Sequence, residues 1–137
     1  MTKVYFACSI MGGGDTSNYL PIINAIKEAG GDVISEVFAH DAILYGGSPL
    51  PANEIFARDI AMIRDADMVI AEVSNPSLGV GYELGFAESL GKPILCLYNV
   101  DSAKKLSAML KGNSYNSIFL YSDNEMPTEG IRLFMSV

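Results

Sequence analysis

Two acidic residues, Asp59 and Glu83, fall at positions where a helix should present apolar side chains. On a helical wheel of about 100° per residue, Ile55, Phe56, Ile60, Met62, Ile63 and Ala66 form one arc of a helix over 53–66. Asp59 falls inside that arc, while Glu54, Arg58, Ala61, Arg64 and Asp65 occupy the other side. A second helix over 78–91 repeats the anomaly, with Glu83 set among Val80, Phe86, Ala87 and Leu90. Burying a lone carboxylate is costly, so acids in such places are partnered or functional. Two carboxyls with separated pKa values can serve as general acid and nucleophile at a glycosidic centre. The alternative is that each bonds a nearby backbone group or Arg and only supports the fold.

The elements that must position them alternate along the chain. Strands are expected at 4–9, 33–37, 68–73, 93–98 and 117–121. Helices are expected at 17–29, 53–66, 78–91, 103–111 and 125–135, with a Gly- and Pro-rich loop over 40–52. This alternation predicts one α/β domain spanning residues 1–137, a Rossmann-like or flavodoxin-like five-stranded parallel sheet with helices on both faces. Ligands in such sheets bind beyond the strand C-termini. Glu83, in the early turns of the helix after the third strand, reaches that edge. The start of the Asp59 helix and the Gly12–Gly14 loop after the first strand converge on it.

Composition narrows the partner. The chain has 137 residues, a formal charge of −7 and only nine Lys and Arg, without a basic run. That balance speaks against a nucleic-acid surface and for a small molecule. No apolar run approaches membrane-spanning length, and Met1–Lys3 leads straight into a strand, so neither a membrane partner nor a signal peptide is expected. Cys8 and Cys96 lack metal-type spacing and read as reduced core thiols of a cytoplasmic protein. His40, the single histidine, has no evident second ligand, which argues against a metal or triad role.

Other motifs are weaker. Gly12-Gly13-Gly14 permits close backbone approach to an anion but lacks the Lys of a P-loop. Gly79-Val80-Gly81 follows the third strand and has no acidic ribose partner, against a dinucleotide site. Ser77 suits either a helix cap or a phosphate ligand, which use the same geometry. Tyr5 reads as a core residue from spacing alone.

Several stretches together resemble a known family. Tyr5-Phe6-Ala7-Cys8-Ser9-Ile10-Met11-Gly12-Gly13, Arg58-Asp59-Ile60, Ala66–Val73, Pro76-Ser77-Leu78-Gly79-Val80-Gly81-Tyr82-Glu83-Leu84-Gly85 and Leu106–Gly112 are similar to the 2′-deoxynucleoside 5′-phosphate N-hydrolases. These belong to the nucleoside 2-deoxyribosyltransferase superfamily. The resemblance implies that Glu83 attacks or stabilises C1′ of the sugar, Asp59 protonates the leaving base and Tyr5 orients Glu83. It implies substrate contacts from Ser9, Ile10, Gly12, Ser77, Gly79 and Ser107, the serines and Gly79 at the 5′-phosphate. It also implies a homodimer in which Ser107 reaches the partner's site, and no metal or organic cofactor. Met11 stands where the family carries a phosphate-binding Arg, which removes a charge-assisted anchor. Cleavage of a (deoxy)nucleoside monophosphate is therefore expected, with base transfer and a non-catalytic nucleotide sensor as alternatives.

Overall fold

The computed structural model describes residues 1–9 and 16–136. Five parallel strands, β1 (Thr2–Ala7), β2 (Gly31–Val33), β3 (Met68–Glu72), β4 (Ile94–Asn99) and β5 (Ser117–Tyr121), form one sheet in the order β2-β1-β3-β4-β5. The helices are α1 (Tyr19–Glu28), α2 (Glu36–Tyr45), α3 (Ala52–Asp65), α4 (Leu78–Ser89), α5 (Ala108–Lys111) and α6 (Thr128–Met135). This is the expected flavodoxin-like arrangement. Chain direction across the sheet reverses between β1 and β3, the place where such folds leave a crevice.

Strand periodicity decides which side chains face that crevice. Val4 and Phe6 join Ile22, Ile23, Ile26 and Ile131 in one apolar layer against α1 and α6. Tyr5 and Ala7 point to the opposite layer, with Val69 and Ala71 of β3, Ile63 of α3, and Val80, Leu84 and Ala87 of α4. The register pairs Tyr5 with Val69 and Ala7 with Ala71. Tyr5 therefore lies on the α3–α4 side because of its parity in the strand.

Three local expectations are corrected. The second strand stops at Val33 rather than 37, because Ser35 takes over its pairing. The Ser35 hydroxyl accepts from the Phe6 amide at 2.8 Å and donates to the Phe6 carbonyl at 3.1 Å. The chain then turns into α2, so residues 40–45 are helical rather than loop, and Gly46, in the left-handed region, closes that helix. His40 sits in this helix and meets Glu36 at 3.1 Å. The helix expected at 103–111 shrinks to α5, started by the Ser107 hydroxyl accepting from the Met109 amide at 3.3 Å. Lys104, Lys105 and Lys111 are exposed. Cys8 and Cys96 are buried free thiols. No helix among the described residues is long and apolar enough to cross a membrane.

Candidate active site

Of the expected apolar arc, only Ile63 within α3 and Ala66 just beyond it are fully buried, and Phe56 is 54 % exposed. The arc instead borders a cavity of about 490 Å³ at the C-terminal edge of β1 and β3. Asp59 and Glu83 both open onto it, with Cys8 at the end of β1 and Ser77, Gly79 and Val80 at the start of α4. Ile55, Phe56, Ile60 and Tyr82 supply an apolar wall. Phe56 and Tyr82 meet edge to face with centroids 6.0 Å apart. Helical spacing marks these side chains as apolar but does not distinguish a core from a pocket wall.

Glu83 is held from below. The Tyr5 hydroxyl donates to its carboxylate, and burial, with Glu83 adding to it, keeps the phenol strongly in its neutral donor form. Burial first, and the closeness of Asp59 with it, push Glu83 up to about 7. The Tyr5 hydrogen bond and the charge of Arg58 act in the opposite direction. The two carboxyls open onto the same cavity, and the charge of Asp59 disfavours ionisation of Glu83. Like charges in a poorly hydrated site resist simultaneous ionisation.

Arg58 corrects the wheel reading. It is not on a solvated side: its side chain is 21 % exposed and that of Asp59 is 14 %. Its Nε–H donates to Asp59 Oδ1 at 3.1 Å, and its guanidinium carbon lies 3.7 Å from the centre of the Phe38 ring. Arg58 was missed because its position on the helix looks polar, and its neighbour Phe38 falls between the strand expected to end at 37 and the loop expected from 40.

The remaining expected ligands divide into groups. Ser77 caps α4, accepting from the Val80 amide at 3.3 Å, while also lining the cavity. Ser9 is buried at the end of β1, where its carbonyl accepts from the Tyr19 hydroxyl at 2.9 Å. Ile10, Met11 and Gly12 lie outside the described residues. Ser107 does not border the carboxyl cavity. It lines a neighbouring groove of about 750 Å³ between α4 and α5, which shares Ser77, Val80 and Tyr82 with the first.

A second buried carboxylate shows that burial alone does not mark chemistry. Glu72, at the end of β3, is only 4 % exposed. It accepts from the Tyr121 hydroxyl and from the Ser74 amide, the latter at 2.6 Å. These bonds tie β3 to β5 and fix the turn that leads toward Ser77.

The nucleoside 2-deoxyribosyltransferase family model matches residues 4–127. The chain belongs to this family. Among its relatives, the 5-hydroxymethyl-dUMP N-hydrolase of Mus musculus is 42 % identical over 138 residues, covering 96 % of this chain and 79 % of that protein. The putative 2′-deoxynucleoside 5′-phosphate N-hydrolase 1 of Syntrophotalea carbinolica is 41 % identical over 111 residues, covering 81 % and 78 %. The structure of the CMP N-glycosidase of Clostridium botulinum superposes with a TM-score of 0.67 over 95 % of this chain and 98 % of that one. At 19 % identity, that likeness establishes the shared family fold.

Proposed function

We propose that this chain hydrolyses the N-glycosidic bond of a (2′-deoxy)nucleoside 5′-monophosphate, releasing the free base and the sugar 5-phosphate. The observation that carries the reading is that Glu83 and Asp59 open onto one cavity while the buried Tyr5 hydroxyl donates to Glu83. The named activities of the N-hydrolase relatives support it.

In this reading the ionised Glu83 attacks C1′ as the C1′–N bond breaks, and the bonding electron pair leaves with the base. Asp59 gives its proton to that base. Water then attacks C1′ of the glycosyl-enzyme, Asp59 takes a proton from it, and Glu83 is released. Tyr5 keeps the attacking carboxylate in place. The Ile55, Phe56, Ile60 and Tyr82 wall receives the flat base. Ser77 and Gly79 offer hydroxyl and amide donors at the α4 N-terminus, where a phosphate is favoured. Ser9 belongs to the same phosphate set, together with Ile10 and Gly12 of the first loop. No cofactor enters the scheme.

The protein acts as a cytoplasmic homodimer in this reading. Leu78 and Met109 border the α4–α5 groove and are 97 % and 82 % exposed. A second copy covering this face would place Ser107 at the partner's phosphate site.

The family model's name points to one further reading, transfer of deoxyribose from one base to another through the same Glu83. A chromatographic assay of the four deoxynucleoside monophosphates, their nucleosides and the ribonucleotides decides between them. Free base and sugar phosphate from monophosphates alone support the proposal. Preference for nucleosides, with exchange into an added second base, overturns it in favour of transfer. Tight binding without turnover leaves a nucleotide sensor.

A further inference from the structure

Five side chains from four elements close a ring around the carboxyl pair. Tyr5 of β1 donates to Glu83 of α4, and Glu83 lies beside Asp59 of α3. Asp59 accepts from Arg58, and Arg58 stacks on Phe38 of α2. Phe38 packs edge-on against Tyr5, with centroids 6.0 Å apart. Arg58 is the one Lys or Arg among the described residues that line either cavity.

Resting on the assignment of Glu83 and Asp59 as the reacting carboxyls, we propose that Arg58 is a positioning residue that sets the charge and proton distribution of the pair. Seated on Phe38, its guanidinium fixes one oxygen of Asp59 and holds a positive charge beside both carboxyls.

Three observations carry this assignment. An arginine on a surface helix ordinarily extends its head into water, yet this one lies flat on a buried ring. Its Nη2 is buried and finds no hydrogen-bond partner among the described residues. That arrangement is unfavourable for a cation unless nearby negative charge compensates it. The compensating charge is the carboxyl pair, in a chain with a net charge of −7.

The groups facing Glu83 are Tyr5 and Cys8 from β1 and Asp59 and Arg58 from α3. Tyr5 remains a phenol, and Cys8 remains a thiol because burial, then Glu83 and Glu72, push it up to about 12. The charges that can change the pair are therefore its own and that of Arg58. Arg58 exchanges no proton. It donates to the Asp59 oxygen on which charge develops as the base takes the proton, and it favours the ionised form of Glu83.

The test uses Arg58→Gln and Arg58→Lys in the full chain. The carboxyl carbons of Glu83 and Asp59 are titrated by carbon-13 NMR without substrate, and kcat/KM is profiled against pH with a deoxynucleoside monophosphate. In Arg58→Gln, the midpoint of the pair and the acid limb of the profile should both move up by about one pH unit, as expected when a contacting opposite charge is lost. At a pH below both midpoints, kcat/KM should then fall about tenfold. Arg58→Lys keeps the charge without the planar stack, and should restore most of the midpoint while kcat stays low. A folded Arg58→Gln whose midpoint coincides with wild type overturns the proposal and leaves Arg58 a packing residue. Should Arg58→Gln not fold, Phe38→Leu removes the seat instead, and an unmoved midpoint there overturns it equally. A wild type inactive on every nucleotide overturns the functional reading separately, because the ligand-free titration does not depend on turnover.

Discussion

Glu83 carries opposing demands of stability and chemistry, and its titration exposes both. Burial raises its pKa from 4.5 to about 7, so between these values the folded chain binds more protons there than the unfolded chain. The sign follows: its stabilising effect is complete below pH 4.5 and is lost as pH rises through about 7. Glu83→Gln should therefore be more stable than wild type at pH 8, on the order of 2 kcal/mol. The difference should vanish near pH 4, which urea melts at the two pH values would check. The same variant should lose turnover, because an amide is nearly isosteric but a poor nucleophile. Retention of more than about a tenth of wild-type kcat would remove Glu83 from the nucleophile's role. Asp59→Asn should cost about 10²–10⁴-fold in kcat, the usual worth of a general acid. The loss should shrink for bases that leave readily without protonation; an equal loss across leaving groups would point to structural support by Asp59.

At the scale of elements, the proposed reading divides phosphate binding between α4 and α5. Ser77 is both the cap of α4 and part of the cavity wall, so Ser77→Ala should reduce stability by about 1 kcal/mol and also raise KM for monophosphates. Thermal melts and kinetics read the two effects separately. Ser107 caps a helix of only four residues that lies outside the carboxyl cavity of its own subunit. Ser107→Ala should raise KM for monophosphates and leave nucleosides nearly unaffected if it serves the partner's site. Equal effects on both substrate classes would confine Ser107 to capping. Glu72 and Tyr121 anchor the turn between β3 and α4, a scaffold on which the Ser77 geometry depends.

At the scale of the whole molecule, exposed apolar side chains flank the site. Leu78, Tyr82 and Met109 all line the α4–α5 groove with open side chains, the face that the proposed second copy would cover. Met109→Asp should shift the chain toward monomer in analytical ultracentrifugation and weaken monophosphate binding in parallel. A stable, fully active wild-type monomer at assay concentration would remove the cross-subunit role of Ser107. The Glu83 and Asp59 chemistry would stand, because both residues belong to one chain and one cavity.

The alternation of strands and helices was legible in the sequence because the periods of 2 and 3.6 are local properties of side-chain direction. The β5 range Ser117–Tyr121 matches the expected segment, and β3 and β4 agree to within a residue at each end. Asp59 and Glu83 were legible for the same reason, since a charged residue breaks a periodic apolar pattern. The motifs shared with the N-hydrolase relatives marked the family. What the sequence left open depended on partners distant along the chain. Helix α2 was hidden by the Gly and Pro residues that follow it, and by a strand end set through Ser35 and Phe6. The apolar arc of α3 read as core, but whether such an arc is covered by protein or faces a cavity is decided by what packs against it. Arg58 read as solvated, because no local rule reveals that Phe38 supplies a seat for it. Tyr5 read as core and is buried, yet its hydroxyl meets a carboxylate 78 residues away. Local sequence determines the direction in which a side chain leaves the backbone; only the packed sheet and helices determine what it meets.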